Sequence, residues 1–351
     1  MCYNKNNATA ACGTGSPDPA ENGKAAGETL QDENCEEKLR EKRCGRKLQE
    51  ESEMAVSRII VWGCGGVYNA HLFRLKQMEE RGEIKVVGVY SRDFRYGRSL
   101  DGYPILKKEE IARTGHDFLL VMVWGGGQEI IREYLEAGGS RDKVLPYRVL
   151  DIPDLTFPQY LEIRNARFTV LSEQCYAGTL YRYLGLEALT PLKNMWVSTE
   201  DYFRILGDPR GYFSESPVFW KSSEDYDPGY ESPAFPILKL KGDVLLYCNH
   251  DTDPEQAIEA WNRRRKRVNY DNILVTYYAK NRREEEAFYR QPRYAGRRCF
   301  TPYPSDLPDS VFIPDEGGAL PITELLAIAM GTNPLIDVYS FFRGPVKYRR
   351  M

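Results

Sequence analysis

The feature that most constrains the fold is an alternation of short apolar runs and helical patterns that begins at Arg58. The run RIIVWG precedes VYNAHLFRLKQMEER, the run IKVVGVYS follows, and DFLLVMVWGGG precedes QEIIREYLEAGG. The apolar runs have the length of buried strands, and the segments between them repeat with the helical period. Repeated β-α units of this size are typical of a parallel sheet with crossover helices. The sequence therefore predicts an α/β fold with a Rossmann-like first domain.

The loop after the first predicted strand is rich in glycine and reads GCGGVY. Glycines let backbone N–H groups approach a phosphate at a helix start, so we expect Gly63, Gly65 and Gly66 to bind a nucleotide. Asp93, after the second strand, is a further candidate contact to this cofactor or ligand. Tyr68 stands where the G-x-G-x-x-G pattern has its third glycine, which argues against a nicotinamide dinucleotide. The alternative is a glycine turn kept for close packing of the strand and helix.

Residues 1–53 differ in composition from the remainder of the chain. They are rich in Asn, Ala, Gly, Glu, Lys and Arg and nearly lack large aliphatic residues, so they cannot bury enough apolar surface to offset the entropy of ordering. Prolines and acids break the pattern at LDIPDLTFPQ, which is typical of a linker. The sequence predicts a disordered tail over 1–53, a Rossmann-like nucleotide-binding domain over 54–152 and a second α/β domain over 153–351. A strand starts just after Met54, and we expect translation to begin there.

Charge and cysteine usage exclude several classes of protein. The formal net charge is −3, which gives no reason to expect a nucleic-acid partner. No apolar run approaches the roughly 18 residues of a membrane span, so membrane insertion is not expected. None of the eight cysteines forms a C-x-x-C pair, which excludes the usual zinc and disulfide patterns. We expect a cytoplasmic protein with reduced thiols and no metal site.

In the second half, three predicted strands each lead directly into a helix. Arg167–Ser172 precede EQCYAGTLYRYLGL, Asn194–Ser198 precede TEDYFRILG, and Asp243–His250 precede DTDPEQAIEAWNRRRKRV. The last helix start has a capping residue, Asp253, followed by Pro254 at the first helical position. Ligands of open parallel sheets bind beyond the carboxyl ends of the strands, where these turns are expected.

Polar side chains at two of these turns form the candidate active site. Cys175 lies near a helix start, where the thiolate is favoured. If the two strands are neighbours in one sheet, Cys175 and His250 meet at its rim. We then expect His250 to act as the base and Cys175 to carry an acyl group or orient the substrate, with Ser172 in contact with the substrate. The alternative is a small core cysteine and a hydrogen-bonded structural histidine.

The segment WNRRRKRV contains the densest group of cations in the chain. With the helical period, Trp261 faces the core, Arg264 lies at the edge of the apolar stripe, and Arg263 and Arg267 point away. We expect Arg263, Arg264 and Arg267 to bind a phosphate or an acidic sugar. A solvated basic face is the alternative. No aromatic interleaving supports nucleic-acid binding.

Two segments resemble known families. YGRSLDGYPILKKEEIARTG resembles part of the small Rossmann-like N-terminal domain of sugar O-acyltransferases, with Asp93 and the DGYPI segment as counterparts of its motif. LSEQCYAGTLYRYLGLEALTPLKN, with the later histidine and AIEAWNRRRKRVNYDNILV, is similar to a bacterial domain-of-unknown-function family labelled exopolysaccharide biosynthesis protein. Asp251 stands where that family usually has an aromatic residue.

The resemblance implies a role in exopolysaccharide or capsule biosynthesis, as a transferase of a glycosyl or acyl group. It implies a nucleotide-sugar or another phosphorylated small molecule as the binding partner. The alternatives are an NAD(P)-dependent oxidoreductase and a non-catalytic nucleotide-sugar-binding protein. The sequence leaves the cofactor, the donor, the acceptor and the oligomeric state open.

Overall fold

The computed structural model describes residues 56–93, 97–226, 233–314 and 336–349. Residues Val56–Met351 form one compact unit. The tail predicted over 1–53 and the start predicted at Met54 lie outside the described residues.

The first part of the described chain is built on a parallel sheet. Its elements, in chain order, are β1 (Ser57–Trp62), α1 (Gly66–Glu80), β2 (Ile84–Tyr90), β3 (Ser99–Leu100), β4 (Tyr103–Pro104), α2 (Lys108–Ile111), β5 (Phe118–Val121), α3 (Gly127–Glu136) and β6 (Val144–Pro146). The four-stranded sheet has the order β2-β1-β5-β6 and is parallel throughout, while β3 and β4 form a separate antiparallel pair. Strand β1 is central, and its residues from Ile59 to Trp62 are buried because both faces of the sheet are covered.

The ends of the helices follow from local residue chemistry. Helix α3 stops before Gly138, whose φ of +90° is strained for any residue with a side chain. At Gly139 a Cβ would lie 2.4 Å from the ring of Tyr134. The two glycines thus end the helix and let the chain turn over Tyr134. The predicted strand and helix units of this part, and their parallel sheet, are confirmed.

The second part contains two further sheets. Its elements are α4 (Phe157–Ala166), β7 (Thr169–Ser172), α5 (Tyr176–Tyr183), α6 (Thr199–Gly207), α7 (Pro209–Phe213), β8 (Val218–Ser222), α8 (Ser223–Tyr226), β9 (Pro236–Lys239), β10 (Leu245–Tyr247), α9 (Pro254–Arg265), β11 (Ile273–Tyr278), α10 (Arg282–Tyr289), β12 (Gly296–Thr301), β13 (Ser310–Phe312) and α11 (Val338–Phe342). A four-stranded parallel sheet has the order β13-β12-β11-β7, and a three-stranded antiparallel sheet has the order β10-β9-β8. The α/β class predicted from the sequence is confirmed.

The structure corrects the predicted strands before α6 and α9. Residues 194–198 form no strand, and Trp196 makes only an isolated antiparallel bridge to Tyr247. Strand β10 pairs antiparallel with β9 and does not join the parallel sheet of β7. The reason is local: Gly242, at φ +62°, makes a tight turn between β9 and β10 and folds them into a hairpin.

Helix α4 occupies part of the segment read from the sequence as a linker. The Thr156 side chain accepts a hydrogen bond from the Gln159 backbone, and the Gln159 side chain accepts one from the Thr156 backbone. Pro158 lies in the first turn, where its missing N–H costs nothing. The proline that suggested a break is therefore part of a helix start.

The predicted helix starts at α6 and α9 are confirmed. The Ser198 hydroxyl accepts a hydrogen bond from the Asp201 backbone. The Asp253 carboxylate accepts bonds from the first-turn backbone of α9, which begins at Pro254 as predicted.

Strand β7 lies between two groups of buried side chains. Val170 belongs to a cluster that extends to β1 and β5 of the first sheet, and Leu171 belongs to a cluster shared with Trp261 and Leu246 of the antiparallel layer. The turn after β7 is therefore held from both sides. In the described part of the chain, none of the helices has the length and apolarity needed to cross a membrane.

Candidate active site

Cys175 and His250 lie side by side. Cys175 is the residue before α5, and His250 follows β10. The Cys175 Sγ is 3.1 Å from the His250 Nε2 and 3.7 Å from the Asn249 Oδ1. The two residues are close together, as expected. They follow strands of two different sheets, however, and do not lie on the rim of one sheet. Their catalytic roles stay predictions.

The loop that carries His250 is fixed at its base. The Cys248 backbone N–H donates to the Pro236 carbonyl, and the Asp251 N–H donates to the Cys248 carbonyl. Just before the loop, the Tyr247 ring stacks on Trp196 with ring centroids 3.6 Å apart. These contacts hold His250 at the surface, above the half-buried Cys175.

The environment of Cys175 favours the neutral thiol. Burial raises the pKa of Cys175, and the hydrogen bond to Asn249 only partly opposes this. This direction is opposite to the effect expected from a helix start, because desolvation disfavours the charged thiolate. A nucleophilic Cys175 would lose its proton to His250 as the reaction proceeds, as a hydroxyl does in a serine–histidine pair.

A buried carboxylate lies beneath the turn. Burial raises the pKa of Glu173 to about 7, against a hydrogen bond that its Oε1 accepts from the Tyr278 backbone N–H at 2.9 Å. The Ser172 hydroxyl donates to the Glu173 Oε2 at 3.4 Å and accepts from the Gln174 backbone N–H. Ser172 is 2% exposed, so it shapes the turn and presents little surface to a substrate. Sequence reasoning missed Glu173, whose only signal was an acid directly after a buried strand.

We expect Glu173 to make the stability of the protein depend on pH. The folded pKa, about 7, lies above the ordinary glutamate value of 4.5. Between these values the native state holds a proton that the unfolded chain has lost, so stability falls as pH rises, by about 1.4 kcal/mol per pH unit at most. The unfolding free energy of Glu173→Gln, measured with denaturant from pH 5 to 8, should lack this fall with rising pH. Glu200→Gln, an exposed site on α6, should keep it, and parallel curves for wild type and Glu173→Gln would contradict the assignment.

Five cations form what we call the Lys193 cluster: Arg182, Lys193, Arg263, Arg264 and Arg267. Burial and then the surrounding charges, Arg264 foremost, lower the pKa of Lys193. The part of this lowering that comes from the four arginines reflects positive charges close to one another. The cluster is therefore a place where an anionic group would be stabilised.

The three arginines predicted to bind substrate have different surroundings. Arg264 is half-buried, donates through Nη1 to the Lys193 carbonyl at 3.0 Å, and is within electrostatic reach of Asp251, the neighbour of His250. Arg263 is exposed. Arg267 forms an ion pair with Glu187 at 3.0 Å. Arg264 thus lies nearest to the cysteine–histidine pair, and the substrate contacts of all three stay predictions.

Other residues of the same sequence motifs hold the backbone. A Cβ at Gly178 would lie 2.3 Å from the Asn194 Oδ1, so glycine lets α5 pack against that segment. The Asn272 side chain donates to the Ala166 carbonyl, and the Asn269 backbone donates to the Thr169 hydroxyl. The asparagine contacts fix the start of β7, and together with Gly178 they explain these motif residues by packing.

The glycine loop after β1 has both a packing role and open surface. A Cβ at Gly63 would lie 2.7 Å from the Met122 carbonyl oxygen, and its φ is +104°. Gly65 and Gly66 are exposed, and a Cβ on either would meet nothing within 4 Å. Gly63 is therefore required by packing, while the nucleotide-binding role of the loop stays a prediction.

The contacts of the residues around this loop stabilise the fold. Tyr68 is buried, and its hydroxyl donates to the Asp101 Oδ2 at 3.0 Å, which ties α1 to the turn between β3 and β4. Burial raises the pKa of Cys64 to about 12, which fits a packing residue. Asp93 is exposed and precedes residues outside the description.

Within the described ranges, no group of three or more His, Cys, Asp or Glu side chains is placed to hold a metal ion, and Cys64, Cys175, Cys248 and Cys299 are free thiols.

Comparison with known proteins gives two family matches. A model described as "Domain of unknown function (DUF1919)" matches residues 147–330, and one described as "C2185-like, N-terminal" matches residues 55–145. The two ranges meet a few residues before the predicted boundary at 152. An uncharacterized protein of Haemophilus influenzae is 24% identical over 114 residues, which cover 32% of this chain and 50% of the relative. The chain thus matches about half the length of that relative.

Proposed function

The chain belongs to the family described as Domain of unknown function (DUF1919), whose model covers just over half of it, and on this premise we propose that Cys175 and His250 transfer an acyl group. The observation that carries the proposal is the 3.1 Å separation of Sγ and Nε2. The context we propose is exopolysaccharide or capsule biosynthesis, which rests on the sequence resemblance alone.

The proposed reaction has two steps. The Cys175 sulfur attacks the carbonyl carbon of an activated acyl donor while His250 Nε2 takes the thiol proton. The bond to the leaving group then breaks, and the leaving group takes that proton from His250, which leaves an S-acyl cysteine. In the second step an acceptor hydroxyl attacks the thioester carbonyl, His250 removes the hydroxyl proton, and the proton returns to the cysteine sulfur as the acyl group leaves.

The start of α5 supplies a place for the charge that develops on the carbonyl oxygen. Cys175 is the N-cap residue of this eight-residue helix, and its side chain makes no capping hydrogen bond. The first backbone N–H groups of a helix lack intrahelical partners and point toward such a site. Donors held in this way stabilise an oxyanion without having to reorganise.

Acyl transfer fits these residues better than glycosyl transfer. Reactions at a glycosidic carbon ordinarily use carboxylates that face the sugar. Glu173, the carboxylate directly beneath the turn, is 6% exposed and occupied by hydrogen bonds to Tyr278 and Ser172. The Lys193 cluster, with Arg264 close to Asp251, favours a substrate that carries a phosphate or a carboxylate.

The proposal predicts a single covalent adduct. We expect that protein incubated with p-nitrophenyl acetate, or separately with acetyl coenzyme A, gains one acetyl group, which peptide mapping places on Cys175. Cys175→Ala should gain none, while Cys64→Ala should be acetylated like the wild type, because Cys64 is held in a packing contact with the Tyr90 carbonyl. Acetylation at other sites only, or a sugar adduct formed from a nucleotide-sugar, would refute acyl transfer at Cys175.

A further inference from the structure

A cavity of about 750 Å³ lies beside β5, β6, α4 and the end of α5. It is separate from the cysteine–histidine pair, because Cys175 precedes α5 whereas Tyr181 and Gly185, near the other end of that helix, line the cavity. Eight helical residues place the two ends about 12 Å apart. The volume is within the range of cavities that hold cofactor-sized ligands.

The cavity carries a net positive charge. Its lining includes five arginines and two carboxylates, an excess of three positive charges: Arg141, Arg148, Arg164, Arg167 and Arg267 against Asp142 and Glu187. Glu187 is shared, at 3.0 Å from Arg267 and 3.9 Å from Arg167. One carboxylate cannot neutralise two guanidinium groups, so the cavity attracts anions.

One of these arginines has an unused donor. The Nη1 of Arg164 is buried and has no hydrogen-bond partner among the residues the structure describes. Its Nη2 donates to the Asp142 carbonyl, and the guanidinium lies over the Phe118 ring, 5.3 Å from the centroid. A buried charged donor without a partner is costly, and Arg164 is one of the residues that line the cavity.

A second glycine-rich loop opens onto the same cavity. The sequence WGGG after β5 ends at Gly127, the first residue of the ten-residue helix α3, and Gly127 lines the cavity. The helix has no side-chain cap, and Gly126 is in the left-handed region at φ +71°. Trp124 also lines the cavity, is 77% exposed, and contacts Tyr147 edge-on at 5.5 Å. An uncapped helix start beside an arginine group suits a phosphate, and an exposed indole suits a flat ring.

We propose that this cavity binds a nucleoside diphosphate group. Arg164, Arg167 and Arg267, with the start of α3, hold the phosphates, and the base stacks on Trp124. This site is distinct from the loop after β1, where nucleotide binding stays a prediction. The assignment does not depend on chemistry at Cys175. Nucleotide-sugars, coenzyme A and nicotinamide dinucleotides all contain this group.

Calorimetric titration of the full chain tests the assignment. With uridine 5′-diphosphate and adenosine 5′-diphosphate as probes, we expect saturable binding that Arg164→Gln and Arg267→Gln each weaken at least about tenfold. Trp124→Ala should weaken nucleotide binding about fivefold or more, with no effect on inorganic pyrophosphate. Arg132→Gln is the matched control, an exposed arginine on α3 outside the cavity lining, and should bind like the wild type. Melting temperatures of all variants identify any loss of fold, and Trp124→Ala, at an exposed site, keeps the test valid if a cavity arginine is needed for folding.

The outcomes separate the ligand sources. Stronger binding of uridine diphosphoglucose, coenzyme A or NADH than of the bare diphosphates supports the assignment and names the source. Nucleotide affinity equal to that of pyrophosphate overturns the ring contact. Absence of binding at millimolar probe, or affinity unchanged by all three cavity substitutions, overturns the site. Loss of Cys175 acetylation with intact nucleotide binding would refute only the acyl-transfer proposal.

Discussion

Replacement of His250 by alanine is expected to slow acetylation of Cys175 by about 100- to 10,000-fold, the usual contribution of a positioned general base. The thiol is held largely neutral by burial, which raises its pKa, so the reaction needs a group that accepts its proton. His250 Nε2, at 3.1 Å, is placed to do so. The measurement is the rate of p-nitrophenol release under single-turnover conditions from pH 6 to 9.

The control for this prediction is Thr252→Ala, an exposed position in the same loop. Both substitutions are on the surface, so each should change the unfolding free energy by no more than about 0.5 kcal/mol. A His250→Ala rate equal to that of wild type over this pH range would show that the imidazole is only a neighbour of the thiol.

The largest loss of stability is expected for Arg298→Met, at about 3–5 kcal/mol. Arg298 is 3% exposed on β12. Its guanidinium donates to the carbonyls of Phe341, Ser340 and Gly344 and to the Asp309 carboxylate. Methionine replaces the volume but leaves these acceptors without donors, and α11 loses its attachment to the sheet.

Urea unfolding of Arg298→Met and of Arg293→Met measures this effect. Arg293 is exposed in the loop before β12, three residues ahead of Gly296, so its replacement should cost no more than about 0.5 kcal/mol. We expect the urea midpoint of Arg298→Met to fall well below those of the wild type and of Arg293→Met. A loss below about 1 kcal/mol would mean that water replaces the guanidinium at these carbonyls.

Local signals account for what the sequence predicted correctly. The strands and helices of the first sheet, the Ser198 cap and the start of α9 at Pro254 depend on residues within a few positions of each other. Short motifs likewise indicated a domain-of-unknown-function family, whereas the exopolysaccharide label and the acyltransferase resemblance stay predictions. The nearness of Cys175 and His250 was expected as well, though from strands assumed to share a sheet.

Pairings between distant segments account for what the sequence could not predict. The placement of β7 and β10 in two different sheets depends on the partners that each strand takes. The raised pKa of Glu173 depends on burial by segments distant in sequence, one of which carries Tyr278, 105 residues away, whose N–H partly opposes the rise. The cavity depends on how α4 and α5 lie against β5 and β6. Each requires knowledge of which elements are neighbours, and periodicity does not carry that information.

The position of the thiol and the imidazole on separate sheets has a consequence for folding studies. A partly folded chain that retains both sheets without their docking would still give a full circular-dichroism signal in the far ultraviolet. In that state Cys175, however, would react with an alkylating reagent as a cysteine in a short peptide does. The pH dependence of alkylation at Cys175 is therefore a chemical reporter of tertiary assembly, and it should be lost before secondary structure in any denaturant titration that passes through such a state.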